Sequence, residues 1–392
     1  MLASRHIVVG VSGGVAAYKA VHLARELTKA GAEVRVVMTE SASAFVGAAS
    51  FAAVTGSHPT VGLFDDEDVS PHTALARWAD AIVVAPLTAS TLSRLASGQS
   101  SDALVATILA AQVPVILAPA MHTEMWEHPA TRRNLATVTA DGCVIVGPEP
   151  GELAGGDVGM GRMSEPEAIV TAVASALTPH DLTDTVILIT AGGTREPIDP
   201  VRYIGNRSSG KMGNALASAA ASRGAHVVLV TSAPAPVDPS IEVITVATAE
   251  EMADATWSRT ADADIAILAA AVADFRPILT SEDKIRRSEG VPEIALEPTP
   301  DVLAGVVERN PDAFVVGFAA ESGSLDAVGD KARTKRVDLL VGNDVAKPES
   351  GFGTDTNEVV LVHSDGTLEA LPLMTKDAVA HAVLDAVVAA RA

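Results

Sequence analysis

The chain has 392 residues, of which 48 % are apolar and only 3 % aromatic. That length accommodates two or three domains with sizeable cores, and the abundance of Ala and Val suits an α/β protein with tightly packed small side chains. A net charge of −21 excludes nucleic acid and acidic membrane surfaces as main partners, while leaving room for phosphorylated ligands held by helix N-termini or by a few Lys and Arg.

In chain order, strand-like runs fall at Ile7–Val11, Glu33–Thr39, Ala81–Ala85, Pro114–Ala118 and Cys143–Val146, with Ala-rich helical segments near 15–30, 41–54, 101–111 and 123–140 between them. A further short helix runs from His72 into the third strand, and Glu165–Leu177 reads as a closing helix with Pro166 in its first turn. This alternation predicts a parallel sheet with helices on both faces, and such sheets bind ligands beyond the C-terminal ends of their strands. The residues at those ends are Ser12, Gly13 and Gly14, then Thr39, then Pro86, Thr88 and Ser90, then Ala120, Met121 and His122. Taken singly, each loop is an ordinary turn with capping hydroxyls. Taken together, they offer hydroxyls and free N–H groups suited to the phosphate and ring edge of flavin mononucleotide (FMN). His72, just ahead of its helix, is either a cap or a base working near neutral pH. Cys143 is the single cysteine, which excludes an intrachain disulfide and a multi-cysteine metal site. Its apolar surroundings predict a buried, inert thiol.

These stretches carry a resemblance. SGGVAAYK (12–19), HTALARWAD (72–80), APLTAST (85–91), PAMHTEMW (119–126) and GDVGMGRM (156–163) resemble the flavin-dependent cysteine decarboxylase family. The resemblance implies a flavodoxin-like fold and FMN, with His72 catalytic and the loop of Ala120, Met121, His122 and Met125 covering the substrate and holding its carboxylate. In that family a cysteinyl thiol is oxidised, the thioaldehyde loses carbon dioxide, and the enethiol is reduced. Two positions depart from the family pattern. His122 stands where the family usually has Asn, and Gly155 stands where the coenzyme A branch often has the cysteine that protonates the enethiolate. A histidine can still donate to a carboxylate; the final proton must then come from another group or from water.

Residues 178–184, short, polar and proline-bearing, read as a linker. The expected domains are therefore 1–178 and 185–392. In the second, strand-like runs occur at Val186–Thr190, His226–Thr231, Glu242–Val246, Ile265–Ala269, Phe314–Gly317 and Leu339–Val341, with helices near 211–223, 248–260, 300–309, 325–336 and 375–391. Glu358–His363, Asp365-Gly366 and Thr367–Leu371 predict a small antiparallel addition. Gly205–Lys211 fits the spacing of a phosphate-binding P-loop, but Met212 stands where Ser or Thr would hold magnesium, and neither glycine cluster has the spacing of a nicotinamide fingerprint. Basic residues gather in Asp283–Arg287, which reads as a polar flap, and at Lys331 and Lys335, which share a helix face. In so acidic a chain they form either a solvated face or a polyphosphate site.

This half resembles phosphopantothenate–cysteine ligase domains through ITAGGTREPIDPVRYIGNRSSGKMG (189–213), AAAVADFRP (269–277), DKIRR (283–287), TPDVL (299–303), GFAAES (317–322) and GNDV (342–345). The resemblance implies that the carboxylate of 4′-phosphopantothenate attacks the α-phosphate of CTP, and that the amine of cysteine then displaces CMP from the acyl-cytidylate. It implies that Asn206 contacts the intermediate and that Lys284 works from the flap. CTP is held by Ala270, Asp274, Lys284, Pro300, Asp301, Val302, Leu303, Phe318, Lys331 and Lys335, with Asp274 on Mg2+ and the 342–345 loop closing beside them. Amide donors and a closing flap suit an acyl-phosphate that water must not reach.

The two resemblances together imply an enzyme of coenzyme A biosynthesis that makes 4′-phosphopantothenoylcysteine in one half and decarboxylates it in the other. They imply trimeric decarboxylase cores, dimeric ligase domains and a homo-oligomer of up to a dodecamer. A flavin redox protein, or a regulatory subunit with an inactive decarboxylase half, is the competing reading, prompted by His122 and Gly155. No apolar run reaches the about 18 residues of a spanning helix and no leader pattern opens the chain, so a cytoplasmic protein is expected. The expected fold is α/β throughout, with two Rossmann-like doubly wound domains, the first flavodoxin-like.

Overall fold

The computed structural model describes residues 2–63, 70–153, 155–236, 238–286, 291–321, 334–344, 346–347, 349–351 and 353–391. The chain divides into two units, Met1–Pro179 and His180–Ala392.

The first unit comprises β1 (His6–Val11), α1 (Ala17–Lys29), β2 (Glu33–Met38), α2 (Ala48–Thr55), α3 (Pro71–Trp78), β3 (Ala81–Leu87), α4 (Ala89–Ala96), α5 (Ala103–Ala110), β4 (Val115–Pro119), α6 (Thr123–Glu127), α7 (Pro129–Ala140), β5 (Val144–Ile145), β6 (Glu149–Glu152), β7 (Val158–Arg162) and α8 (Pro166–Leu177). Five strands form a parallel sheet in the order β2-β1-β3-β4-β5, the flavodoxin-type order. The central strands are β-branched runs buried on both faces. α1 buries Ala17, Ala20, Leu23, Ala24 and Leu27, an apolar stripe at helical spacing.

Three sequence expectations change here. The helix expected over 41–54 is a 3-10 turn, Glu40–Ala44, followed by α2. The helix expected over 123–140 breaks at His128, because Pro129 has no N–H and can only begin a new helix. The loop after β3 contains α4, capped by Thr88, whose Oγ1 accepts from the Thr91 N–H. The antiparallel hairpin of β6 and β7 had no signal in its Gly- and Pro-rich sequence. Cys143 is half-buried, and burial, with the Asp141 carboxylate nearby, pushes its thiol pKa up, which disfavours the thiolate.

The second unit comprises β8 (Val186–Ala191), β9 (Arg195–Pro197), β10 (Tyr203–Gly205), α9 (Lys211–Ser222), β11 (His226–Thr231), β12 (Ile241–Thr245), α10 (Ala249–Arg259), β13 (Ile265–Leu268), β14 (Phe275–Pro277), β15 (Leu296–Pro298), α11 (Val302–Arg309), β16 (Phe314–Glu321), β17 (Leu339–Asp344), β18 (Thr356–His363), β19 (Leu368–Thr375) and α12 (Lys376–Arg391). Its main sheet runs β12-β11-β8-β13-β16-β17-β18-β19, with β18 and β19 antiparallel at one edge. Two short antiparallel pairs, β9–β10 and β14–β15, stand beside it. α9 and α12 bury Leu216, Ala220, Val383 and Val387 in one core, and α10 and α11 bury Ala253 and Val306 in another. Thr248 and Glu251 close a reciprocal capping box at the start of α10.

Residues 180–184 fold onto this unit. Leu182 is buried in its core and its N–H donates to the Arg223 carbonyl. Gly342, Asn343 and Asp344, expected in a loop, are the end of β17; Gly342 and Asn343 pair with both β16 and β18, and Asp344 pairs with β16. Val345 and most of the helix expected over 325–336 lie outside the described residues. Among the described residues, no helix is long and apolar enough to cross a membrane.

Candidate active sites

In the first unit the chain turns back between β1 and β3, so the loops after these strands flank a switch point, where open α/β sheets bind their ligands. Ser12 directly follows β1 and is fully buried. Its Oγ donates to the Pro86 carbonyl at 2.7 Å, accepts from the Thr88 N–H at 3.0 Å and lies 3.1 Å from Thr88 Oγ1. Gly13 follows because nothing larger fits: a Cβ there would lie 2.6 Å from the Cβ and 2.7 Å from the carbonyl carbon of Ser41. A Cβ on Gly14 would meet Thr88 Cγ2 at 3.2 Å. Thr39 is buried, with Oγ1 3.1 Å from Ser41 Oγ. Ser12, Gly13, Gly14, Thr39, Pro86 and Thr88 are thus brought together. Ser41, which the sequence reading missed, joins them. Ser90 is exposed in the first turn of α4.

The loop after β4 is wrapped by the β6–β7 hairpin. The Ala120 N–H donates to the Leu87 carbonyl, and the Met121 N–H to the Gly161 carbonyl, both at 3.0 Å. Gly161 has φ 145°, and a side chain there would collide with the Met121 carbonyl oxygen. His122 caps α6. A Cβ at Gly155 would lie 3.2 Å from His122 Cε1 and 3.2 Å from Asp157 Oδ2. The position where the resembling family often has cysteine is therefore bordered here by an imidazole and a carboxylate. Met125 is exposed. His72 sits at the N-terminal end of α3, a helix that leads into β3 and so starts at the strand-end edge. Its Nδ1 is buried without a hydrogen-bond partner, and Nε2 is 3.5 Å from Ser70 Oγ. A buried, unpartnered imidazole nitrogen costs free energy unless a ligand or water meets it. The glycine cradle, the hydroxyls and the orphaned nitrogen fit a flavin phosphate and ring.

In the second unit the switch point lies between β8 and β13, and the two loops there are stitched together. Ala270 N–H donates to Thr190 Oγ1 at 3.2 Å, Ala271 N–H to the Gly192 carbonyl at 2.8 Å, and Ala273 N–H to Thr194 Oγ1 at 2.9 Å. Thr190 and Thr194, both buried, are again residues the sequence reading missed; for Thr190, a Thr at the end of an apolar run was the available signal. Asn206 follows β10, and its Nδ2 donates to the Ala271 and Val272 carbonyls, 3.1 Å each. Both amide protons are engaged, so Oδ1 is left to accept from a ligand.

Asp274 is exposed, and its carbonyl accepts from the Thr299 N–H at 3.1 Å, which ties this loop to Pro300. Asp301 caps α11 through the Ala304 N–H at 3.0 Å and also meets Lys335 Nζ at 2.6 Å. Burial raises the Asp301 pKa, but these partners outweigh it and hold the carboxyl below its usual range. Val302, the first residue of α11, is buried in the core, and its carbonyl accepts from Trp257 Nε1 at 3.2 Å. Leu303 and Phe318 are partly buried against cores. Lys284 is exposed. Lys331 and Arg287 lie outside the described residues. Lys211, which completes the P-loop spacing, instead bonds Asp355 at 2.7 Å and the Gly353 carbonyl at 3.0 Å. Among the described residues there is no cluster of three His, Cys, Asp or Glu arranged to hold a metal. Asp274 could offer Mg2+ one carboxylate, the usual arrangement where substrate phosphates supply other ligands.

The fold and these sites define a two-unit α/β enzyme of the doubly wound class, with one strand-end site per unit. The flavoprotein family model matches residues 1–178, and the model for the DNA/pantothenate metabolism flavoprotein C-terminal domain matches 182–390. A coenzyme A biosynthesis bifunctional protein CoaBC of Mycobacterium tuberculosis is 47 % identical over 98 % of this chain and 96 % of its own. The protein of that name from Escherichia coli K12 is 41 % identical over 99 % and 97 %. The solved C-terminal domain of a CoaBC protein is 35 % identical, covers 54 % of this chain and 97 % of its own, and superposes with a TM-score of 0.45. The chain belongs to the family of coenzyme A biosynthesis bifunctional proteins.

Proposed function

We infer that the second unit joins cysteine to 4′-phosphopantothenate at the expense of CTP and that the first unit decarboxylates the resulting 4′-phosphopantothenoylcysteine to 4′-phosphopantetheine. The observation that carries this reading is the pair of switch-point sites in one chain, the glycine–hydroxyl cradle at Ser12–Thr88 and the Asn206 amide locked over the 270–273 loop. The product of one site is the substrate of the other.

In the first unit, FMN would supply reversible two-electron oxidation of the substrate thiol. The residues do the rest. Gly13, Gly14, Thr88 and Ser41 shape the phosphate end. Pro86 and Thr39 line the ring edge. His72, with Nδ1 unpaired, accepts a proton at the substrate, and the Ala120–His122 loop under the β6–β7 hairpin binds the carboxylate and excludes water. The final proton comes from His122, whose ring borders Gly155, or from water.

In the second unit, Asn206 Oδ1 orients the acyl group. Asp274 takes one Mg2+ position. Lys335, already exposed beside Asp301, together with Lys331 and Lys284, meets the triphosphate charge. The family relation supports assembly of several copies, trimeric through the first unit and dimeric through the second. A cytoplasmic site of action fits these water-borne substrates. The test is incubation with 4′-phosphopantothenate, cysteine and CTP while CMP and carbon dioxide are followed. Both should appear. CMP without carbon dioxide would leave only the ligase, and neither product would refute the reading.

A further inference from the structure

Asp199 is a buried carboxylate in the turn between two short strands, and it holds both that turn and a segment 86 positions away. Its side chain is 0 % exposed. Oδ1 accepts from the Val201 N–H at 2.8 Å and the Arg202 N–H at 2.7 Å, which closes the β9–β10 turn. Oδ2 accepts from the Ile285 N–H at 3.2 Å and faces the Arg202 guanidinium at 2.9 Å. The same guanidinium donates to the Ile285 carbonyl. Both backbone groups of Ile285 are therefore held by one ion pair, and Ile285 is the residue after Lys284. The preceding residues follow the same track: Thr280 Oγ1 donates to the Pro197 carbonyl at 3.2 Å and the Ser281 N–H to the Ile198 carbonyl at 3.0 Å. The far end of the hairpin, Gly205, runs directly into Asn206.

We propose that Asp199 is a positioning residue for amide formation, fixing the Lys284 segment on the hairpin that also delivers Asn206. This rests on the ligase reading of the second unit. All four acceptor positions of the carboxylate are used, two by turn amides and two by the Ile285 clamp. Burial raises its pKa, but the three amides and Arg202 overcome it and keep the group ionised. Asparagine cannot substitute, because its NH2 would face N–H donors at either oxygen position. A carboxylate with nothing to gain by exposure, gripping the main chain beside an exposed lysine, serves the lysine's placement. A displacement of about 1 Å in a reacting group costs on the order of 100-fold in rate.

The test uses the full chain loaded with 4′-phosphopantothenate and CTP. Single-turnover release of CMP on adding cysteine is compared for wild type, Asp199→Asn, Lys284→Gln and the double variant. Tryptic cleavage after Arg286 reports the clamp independently of activity. Asp199→Asn should slow cysteine-dependent CMP release about 100-fold, pyrophosphate release before cysteine should change far less, and the cut after Arg286 should quicken. The double variant should be no slower than Lys284→Gln, because both changes remove one function. Multiplying effects in the double variant, or an unchanged tryptic rate, would overturn the proposal. If Asp199→Asn does not fold, Arg202→Met keeps the turn bonds and loosens only the grip on Ile285; wild-type CMP release and tryptic rate in it would equally overturn the proposal. If the wild type itself releases no CMP, the ligase reading fails, and the tryptic comparison still decides the clamp.

Discussion

The guanidinium of Arg223, 1 % exposed, meets both carboxylate oxygens of Asp181, Nε to Oδ1 at 2.8 Å and a terminal nitrogen to Oδ2 at 2.6 Å. Its other terminal nitrogen reaches Asp385 of α12 at 2.7 Å. One side chain at the end of α9 thus pins the segment that enters the second unit and the helix that closes it. Arg223→Met should lower stability by about 1–3 kcal/mol, the worth of hydrogen bonds to charged groups. The two carboxylates it leaves behind are partly exposed and can be rehydrated. Hydrogen exchange should show faster opening of α9 and α12 amides in the variant, and unchanged exchange there would contradict the assignment.

The same pair makes a pH prediction. Hydrogen bonds from Arg223 hold the Asp181 pKa below its ordinary 3.8, against a smaller opposing push from burial. A depressed carboxyl pKa stabilises the fold above the unfolded value and loses that contribution as pH falls through the folded one. The stability gap between wild type and Asp181→Asn should therefore be constant at neutral pH and shrink below about pH 4. Denaturant midpoints over that range would check it.

Gly13 has no room for a methyl group beside Ser41. Gly13→Ala should either displace Ser41 or push the 12–14 turn off its position, and flavin content after purification should fall sharply with the circular dichroism unchanged. Retention of full flavin would remove this turn from the cofactor site.

For His72, the unpartnered Nδ1 marks a nitrogen reserved for a ligand. His72→Asn should keep bound flavin, seen in its visible absorbance, and lose carbon dioxide release by on the order of 10²–10⁴-fold, the scale of general acid–base catalysis. Turnover at the wild-type rate would exclude His72 from the chemistry.

Lys284→Gln should slow ligation strongly while 4′-phosphopantothenoylcysteine supplied from outside is still decarboxylated. A charge-stabilising donor of this kind is worth on the order of 10²–10³ in rate. Equal CMP release by the variant would take Lys284 out of the reaction.

The alternation of strands and helices is legible in the chain because each element is encoded over a few adjacent residues. β-branched runs such as Val186–Ala191 can only be buried strands in this context, and Thr248 with Glu251 announces a helix start within four positions. Strand ends follow from the same pattern, which is why Ser12 and Thr88 stand out, whereas Asn206 is marked only by the resemblance of its stretch to ligase domains. Pro129 is equally readable in hindsight, since its missing N–H breaks the long helix locally.

What the chain does not spell out are relations between distant residues. No periodicity shows that Ser41 closes on Gly13, that Thr194 holds Ala273, or that Lys211 turns to Asp355. Val302 looks like any residue of a loop-to-helix start until its side chain is seen in the core. Asp199 is an ordinary turn aspartate by composition, and only the approach of Ile285 from 86 positions away gives it a second task. Hydrophobic patterning is a local property carried by each segment on its own. A hydrogen-bonded carboxylate needs donors from several segments at once, and which donors arrive is decided by packing.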